Sequence, residues 1–132
     1  MNNENALQAY THETGLLSQL KYGSPKYQMT EQRVLSLLGG LKNVITNNEI
    51  PKLLAPLTTV GGEIEREVAR TLKVLGTSEA FDAVALILKA VLDNGADEAT
   101  AHECLTILES MDAERMQREG LYEYAEANWV NF

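Results

Sequence analysis

Metal-binding chemistry would require residues such as His12, His102 and Cys104, which with one carboxylate would supply four ligands. The pair His102-Glu103 matches the start of a zinc-binding helix in which a second histidine follows four residues after the first, so that both imidazoles share one face. That position is Thr106, and His12 lies far away in the sequence. We therefore predict that the protein holds no metal ion and no cofactor.

Acid–base and nucleophilic catalysis are poorly supported by the spacing of the polar residues. Carboxylates lie close together at Glu63, Glu65 and Glu67, but the pattern predicts that they lie on solvent-exposed helical faces. The glycine pairs at 39–40 and 61–62 lack the lysine and the strand-to-helix context of a phosphate-binding loop. No serine lies in the sharp turn that exposes a hydrolase nucleophile. We predict that the protein is not an enzyme and has no catalytic residues.

Three basic residues, Arg66, Arg70 and Lys73, recur at spacings of four and three and therefore share one helical face. Glu63 and Glu67 precede the two arginines by one turn, which predicts local ion pairs of about 0.2–0.5 kcal/mol each. One interpretation is a solvated, self-paired face, and the other is a contact surface for an acidic partner. Three bases are too few, against a net charge of -8, for direct binding of nucleic acid.

The acidic residues are concentrated at one end of the chain. Residues 1–62 have a net charge of +1, whereas residues 93–132 contain ten acids and two bases. Such a surface repels phosphate backbones and favours a protein partner with a basic surface. A solvated surface that only improves solubility is the alternative interpretation.

The C-terminal residues 120–132 combine this charge with aromatic side chains. If a helix continues to the end, its aromatic residues lie close to one face, and they include the only tryptophan, Trp129. We predict partner-binding residues here, namely Tyr122, Glu123, Glu126, Trp129 and Phe132. The alternative is that Trp129 and Phe132 fold back and cap the last helices. Self-association through the same residues also remains open.

Length and composition predict one globular domain spanning residues 1–132. Hydrophobic residues make up 45% and charged residues 23% of the chain, which is ordinary for a folded protein. The N-terminal residues have no apolar run typical of a signal peptide, and no segment contains the roughly 20 apolar residues of a membrane span. Cys104 is the only cysteine, which excludes an internal disulfide and favours a reducing compartment. We expect a cytoplasmic protein without a membrane partner.

The pattern of apolar and helix-breaking residues predicts an all-α fold, because no stretch alternates with a period of two. An N-terminal helical segment covers residues 1–21, and a loop follows. Three helix pairs then begin near residues 31, 63 and 97, the first with Thr30 as its N-cap, and the second helices of these pairs begin near residues 49, 79 and 112. Pro56 predicts that the helix after residue 49 is short or kinked.

The helix predicted from residue 79 is apolar on most of its circumference. Leu88 lies at the middle of its main apolar face, and only Asp82, Lys89 and Asp93 form a polar strip. Such a helix needs neighbours on at least two sides. Because helix starts recur at intervals of 32 and 34 residues, we predict a stack of helix pairs in which this helix is central and Leu88 is buried.

Residues 63–95 resemble HEAT-type helical repeats. The apolar positions of the first helix and the turn of that family are matched by Ile64, Val68, Leu72 and Gly76. Glu65 stands where the family often has an arginine, and Ser78 where it often has a proline. The resemblance implies antiparallel helix pairs stacked as a short right-handed array. A compact helical bundle with coincidental spacing is the alternative.

Two functions are compatible with these features. The first is a small acidic cytoplasmic interaction module, an adaptor, regulator or inhibitor, that binds a protein partner through a helical face. The alternative is an acidic antagonist that imitates a phosphate array and binds a DNA- or RNA-binding protein. The second function requires exposed acids in a row, for which the candidates are Asp97, Glu98, Glu109, Glu114, Glu123 and Glu126.

Overall fold

A computed structural model describes residues 3–59 and 62–132, and within these residues the chain is all-helical and contains no β-strand. The predicted all-α class is therefore confirmed, while residues 1–2 of the predicted N-terminal segment lie outside the described residues. The α-helices are α1 (Glu4–Leu17), α2 (Pro25–Leu41), α3 (Ile50–Leu54), α4 (Gly62–Leu75), α5 (Ser78–Asn94), α6 (Glu98–Arg118) and α7 (Leu121–Asn128). Short 3₁₀ segments at Asn47–Glu49, Ala55–Thr59 and Trp129–Asn131 complete the described chain.

The helices pack as neighbouring pairs. Helix α4 packs against α2 and α6, and α5 packs against α4 and α6 while also contacting α3 and α7. Helix α1 packs against α2, α3 and the 3₁₀ segment that follows α3, and the buried Tyr10 hydroxyl donates a hydrogen bond to the carbonyl of Leu53 in α3 at 2.6 Å. The arrangement is compatible with a stack of helix pairs or with a bundle, and the HEAT-type resemblance stays a prediction.

Helix α5 has more buried residues than any other described helix, because it contacts helices on several sides. Its start is fixed by Thr77, whose hydroxyl accepts a hydrogen bond from the amide of Ala80 at 3.1 Å. Its end is fixed by Gly95, which adopts the left-handed conformation (φ 63°) and donates its amide to the carbonyls of the last turn. Leu88 is fully buried, as predicted, whereas Leu86 is 60% exposed.

The start of α2 differs from the prediction. The helix begins at Pro25, well before residue 31, so residues 25–29 of the expected loop are part of it. Ser24 is the N-cap, because its hydroxyl accepts a hydrogen bond from the amide of Tyr27 at 3.2 Å. Pro25 is tolerated in the first turn, because an N–H at that position would have no partner within the helix. Thr30 is not the N-cap; its hydroxyl donates to the carbonyl of Lys26 one turn earlier.

The second helices of the pairs differ from one another. Helix α3 begins at Ile50 and ends at Leu54, and α5 begins at Ser78. Near residue 112, α6 consists of two helical segments that meet at a kink, because Asp112 has extended backbone angles (φ -163°, ψ 88°), so a second segment begins where the sequence predicts a helix start. The Asp112 carboxylate accepts a hydrogen bond from the amide of Arg115 at 3.0 Å, so it caps the part of α6 that follows the kink.

Several side-chain hydrogen bonds between helices join residues 31 or 33 positions apart. Arg66 bonds to Asp97, Arg70 to Glu103, Tyr124 to Asp93 and Trp129 to Glu98. These separations are close to the intervals of 32 and 34 residues between the helix starts predicted from the sequence.

Candidate functional site

An apolar groove opens beside the C-terminal half of α5. Its volume is about 630 Å³, within the range of small-ligand and peptide-side-chain pockets. Most of the lining is aliphatic and comes from α5, the end of α3 and the segment that follows it, namely Leu54, Leu57, Leu86, Ile87, Ala90 and Val91. Asn94, Ala96 and Asp97 form one end of the groove, beside Gly62 and Glu65 of α4.

The groove exists because α3 is too short to cover α5. The five residues of α3 span about 7 Å and the 17 residues of α5 about 25 Å, at a rise of 1.5 Å per residue. Asn47, just before α3, is hydrogen-bonded to Thr77 at 2.6 Å and to Glu79 at 3.0 Å, so this segment lies against the beginning of α5. The later turns of α5 therefore keep Leu86 and Ala90 uncovered.

Two carboxylates at the end of the groove have different environments. Asp97 accepts hydrogen bonds from Arg66 Nη1 at 3.1 Å and from the hydroxyl of Thr100 at 2.7 Å. Glu65 is partly buried, and no described residue donates a hydrogen bond to it or forms an ion pair with it. Burial raises the pKa of Glu65 to about 7; the negative charge of Asp97 acts in the same direction and the Arg66 guanidinium opposes it.

The backbone at this end of the groove approaches the Asp97 side chain closely. A Cβ atom built on Gly62 would lie 1.2 Å from Asp97 Oδ2, so any other residue at the start of α4 would displace the Asp97 carboxylate. Asp97 itself has a positive φ of 65°, a conformation that aspartate tolerates better than most residues. The position of Asp97 is therefore set by contacts from α4 and from the start of α6 together.

The basic face of α4 is occupied by internal ion pairs. Arg66 pairs with Glu63 at 2.5 Å, and Arg70 pairs with Glu67 at 3.0 Å, which confirms the local pairs predicted from the sequence. Arg70 also forms two hydrogen bonds with Glu103 of α6, at 2.6 and 2.8 Å. The arginines therefore connect α4 to α6, an interaction between helices that sequence spacing alone did not predict.

The aromatic residues predicted at the C-terminus fold back over the turn between α5 and α6. The Trp129 indole N–H donates to Glu98 Oε1 at 3.1 Å, and its ring meets His102 and Phe132 edge to face, with centroids 4.8 and 5.0 Å apart. The Asn131 amide donates to the carbonyl of Leu92 at 2.9 Å. This arrangement matches the capping alternative for Trp129, which is only partly exposed.

The other predicted partner-binding residues lie on α7. Tyr122 is 41% exposed and donates a hydrogen bond to Glu109 of α6. Glu123 and Glu126 are exposed, as is Phe132 at the end of the chain. The structure thus brings Trp129 and Phe132 into contact, and Tyr122 reaches a different part of α6. A partner role for these five residues stays a prediction.

Metal-ligating side chains are dispersed in the described part of the chain, where no group of three is close enough to hold an ion. Cys104 is fully buried, and burial, followed by the charges of Glu65, Glu103 and Asp97, raises the pKa of its thiol to about 12. Such a thiol is a poor nucleophile. Among the described helices, none is both long and apolar enough to cross a bilayer.

The groove was not predicted from the sequence, and Glu65 was expected on a solvent-exposed helical face. Leu86 and Ala90 could have indicated it, because they are four residues apart on α5 and lie outside its main apolar face. Comparison with protein-family models, curated proteins and solved structures finds no match to this chain.

Proposed function

We propose that this protein is a non-enzymatic interaction module that binds an amphipathic helix of a basic protein partner in the groove beside α5. The observation that carries the proposal is the exposure of two apolar side chains one turn apart on α5, Leu86 and Ala90, of which Leu86 is 60% exposed. A helix-in-groove complex buries such side chains against apolar residues spaced three or four positions apart on the partner.

The dimensions of the groove favour a helix as its occupant. Residues 86–94 of α5 line it and span about 13 Å, which is the length of two to three helical turns. A partner helix in this position would lie beside α5 where a longer α3 would otherwise pack. Its apolar face would contact Leu54 and Leu57 on one side and Leu86 and Ala90 on the other.

Charge favours a basic partner. The whole chain has a net charge of -8, and the end of the groove contains two carboxylates, Glu65 and Asp97. Complementary charge accelerates encounter and orients the partner, while burial of apolar side chains provides most of the affinity. The buried single cysteine, Cys104, supports the cytoplasm as the location of this interaction.

The alternative function, imitation of a phosphate array by the C-terminal acids, has less support. Three of the acids in question already have intramolecular partners: Asp97 pairs with Arg66, Glu98 accepts from Trp129 and Glu109 accepts from Tyr122. Mimicry would require a continuous row of carboxylates free to meet cations. We therefore give this function second place.

A selection from displayed helical peptides tests the proposed function. A library of 16-residue peptides with one randomised helical face is selected on the protein, and the affinity of the selected peptides is measured by fluorescence anisotropy. We expect apolar residues at positions i, i+4 and i+7 and a loss of at least about 10-fold for Leu86→Asp, because a charge would be buried in the groove. Val74→Asp, at a 51% exposed apolar residue outside the groove, is the matched control. Equal binding to the wild type and to Leu86→Asp contradicts the proposal.

A further inference from the structure

We infer that Glu65 is the specificity-determining residue of the groove and binds the ammonium or guanidinium group of a single Lys or Arg located within the apolar row of the partner helix. The inference rests on the proposed function and adds the chemistry of one contact. It predicts a partner helix whose apolar face is interrupted by one basic residue at a defined position.

The surroundings of Glu65 make its carboxylate available for a ligand. It lines the groove near aliphatic side chains of α5 and the α3 segment, including Leu57 and Ile87. No described residue donates a hydrogen bond to it or pairs with it. A carboxylate in a largely apolar site without a partner is unfavourable, and an incoming cation removes that cost.

The cation that lowers the pKa of Glu65, Arg66, is already engaged elsewhere. Arg66 follows Glu65 directly, but its guanidinium donates to Glu63, to Asp97 and to the hydroxyl of Thr100. Asp97 therefore has a cationic partner within the protein, whereas Glu65 has none among the described residues. The Glu65 carboxylate can therefore bind a cation of a partner, whereas Asp97 takes part in an ion pair within the protein.

The titration of Glu65 agrees with this assignment. Its pKa is raised to about 7, chiefly by burial. The ionisable groups that act on it or respond to it are Asp97 in the turn before α6, Arg66 on its own helix and the Cys104 thiol of α6. A cation placed against the carboxylate lowers that pKa again, so binding of a basic peptide releases the proton.

A lysine or arginine suits this geometry better than a fully apolar or a fully polar residue. The methylene stem of either side chain packs along aliphatic residues such as Leu86 and Ala90, while the charged group extends beyond them. At the end of the groove that group meets Glu65. One basic residue therefore contributes both to the apolar contact and to the ion pair.

The test compares three versions of one selected peptide on three proteins. The peptides carry lysine, norleucine or glutamate at the basic position, and norleucine keeps the apolar stem without the charge. The proteins are the wild type, Glu65→Gln and Glu114→Gln, the last removing an exposed acid outside the groove. On the wild type and on Glu114→Gln we expect lysine to bind about 10-fold or more tightly than norleucine, and glutamate to bind least.

On Glu65→Gln the difference between lysine and norleucine is expected to fall below about 3-fold, since the charge-assisted contact is lost. A preference for lysine that survives in Glu65→Gln, or its absence on the wild type, overturns the inference while peptide binding itself still supports the proposed function. Failure of every selected peptide to bind overturns both. The comparison on the wild type needs no variant and therefore does not depend on how Glu65→Gln folds.

Discussion

The Arg66 guanidinium and the Asp97 carboxylate lie 3.1 Å apart and join the N-terminal half of α4 to the turn between α5 and α6. Neither side chain is more than 27% exposed, so the pair is partly shielded from water. The same turn forms the end of the groove on one side and receives Trp129 on the other. This ion pair therefore holds the segment on which both candidate binding surfaces depend.

Arg66→Met is expected to lower the free energy of unfolding by about 1–3 kcal/mol, because Asp97 would remain partly buried without its cation. Urea unfolding followed by circular dichroism measures the change. Lys73→Met, on the same helix but exposed, is the control and should change stability by less than about 0.5 kcal/mol. Equal effects of the two substitutions would show that the Arg66–Asp97 pair does not stabilise the turn.

Glu65→Gln is expected to stabilise the protein at pH 8 and to have little effect at pH 5. The folded-state pKa of about 7 lies above the ordinary value of 4.5, so the folded protein binds more protons than the unfolded chain between these values. The contribution of Glu65 to stability therefore falls as the pH rises from 4.5 to 7, and glutamine lacks this titration. Urea unfolding at both pH values, with Glu114→Gln as control, measures the difference. A stability change of Glu65→Gln that is the same at pH 5 and pH 8 contradicts the assignment.

Leu88→Ala is expected to cost about 2–5 kcal/mol, because Leu88 is fully buried and its truncation leaves a cavity. Leu86→Ala, two residues earlier on the same helix, should cost less than about 1 kcal/mol, since that side chain is mostly in solvent. Thermal and urea unfolding of the two variants measure the contrast. Similar losses at both positions would mean that the groove is closed in solution.

Trp129→Ala distinguishes the two interpretations of the C-terminal residues. We expect a loss of about 1–3 kcal/mol in stability, about half that of a fully buried tryptophan, and unchanged affinity for groove-binding peptides. Val130→Ala, at an 83% exposed neighbour, is the control and should leave stability unchanged. Retained stability together with weaker binding of the peptides would instead assign Trp129 to the partner contact.

Local features of the chain could be predicted from the sequence alone. The spacing of apolar residues in α4 and α5 acts within one or two helical turns, so neighbouring residues decide which face of each helix is apolar. The burial of Leu88 also follows, since a helix that is apolar nearly all round must be covered on several sides. The ion pairs from Glu63 to Arg66 and from Glu67 to Arg70 are local for the same reason.

The start of α2 could not be predicted, because two nearby residues have side chains that can cap a helix. Ser24 and Thr30 are both good caps, and only packing decides that Tyr27, between them, is buried as part of the helix. The second segment of α6 does begin near residue 112, because the Asp112 carboxylate can cap it locally.

The existence and position of the groove depend on tertiary structure. The sequence determines that α3 is short, because Pro56 interrupts it, and that α5 has apolar residues on two sides. Which side of α5 the short helix leaves open depends on where Asn47 meets Thr77 and Glu79, residues about 30 positions away. The unusual position of Glu65 follows from the same packing, because an acid lacks a partner only when the neighbouring helices bury it and direct the nearest arginine to other carboxylates.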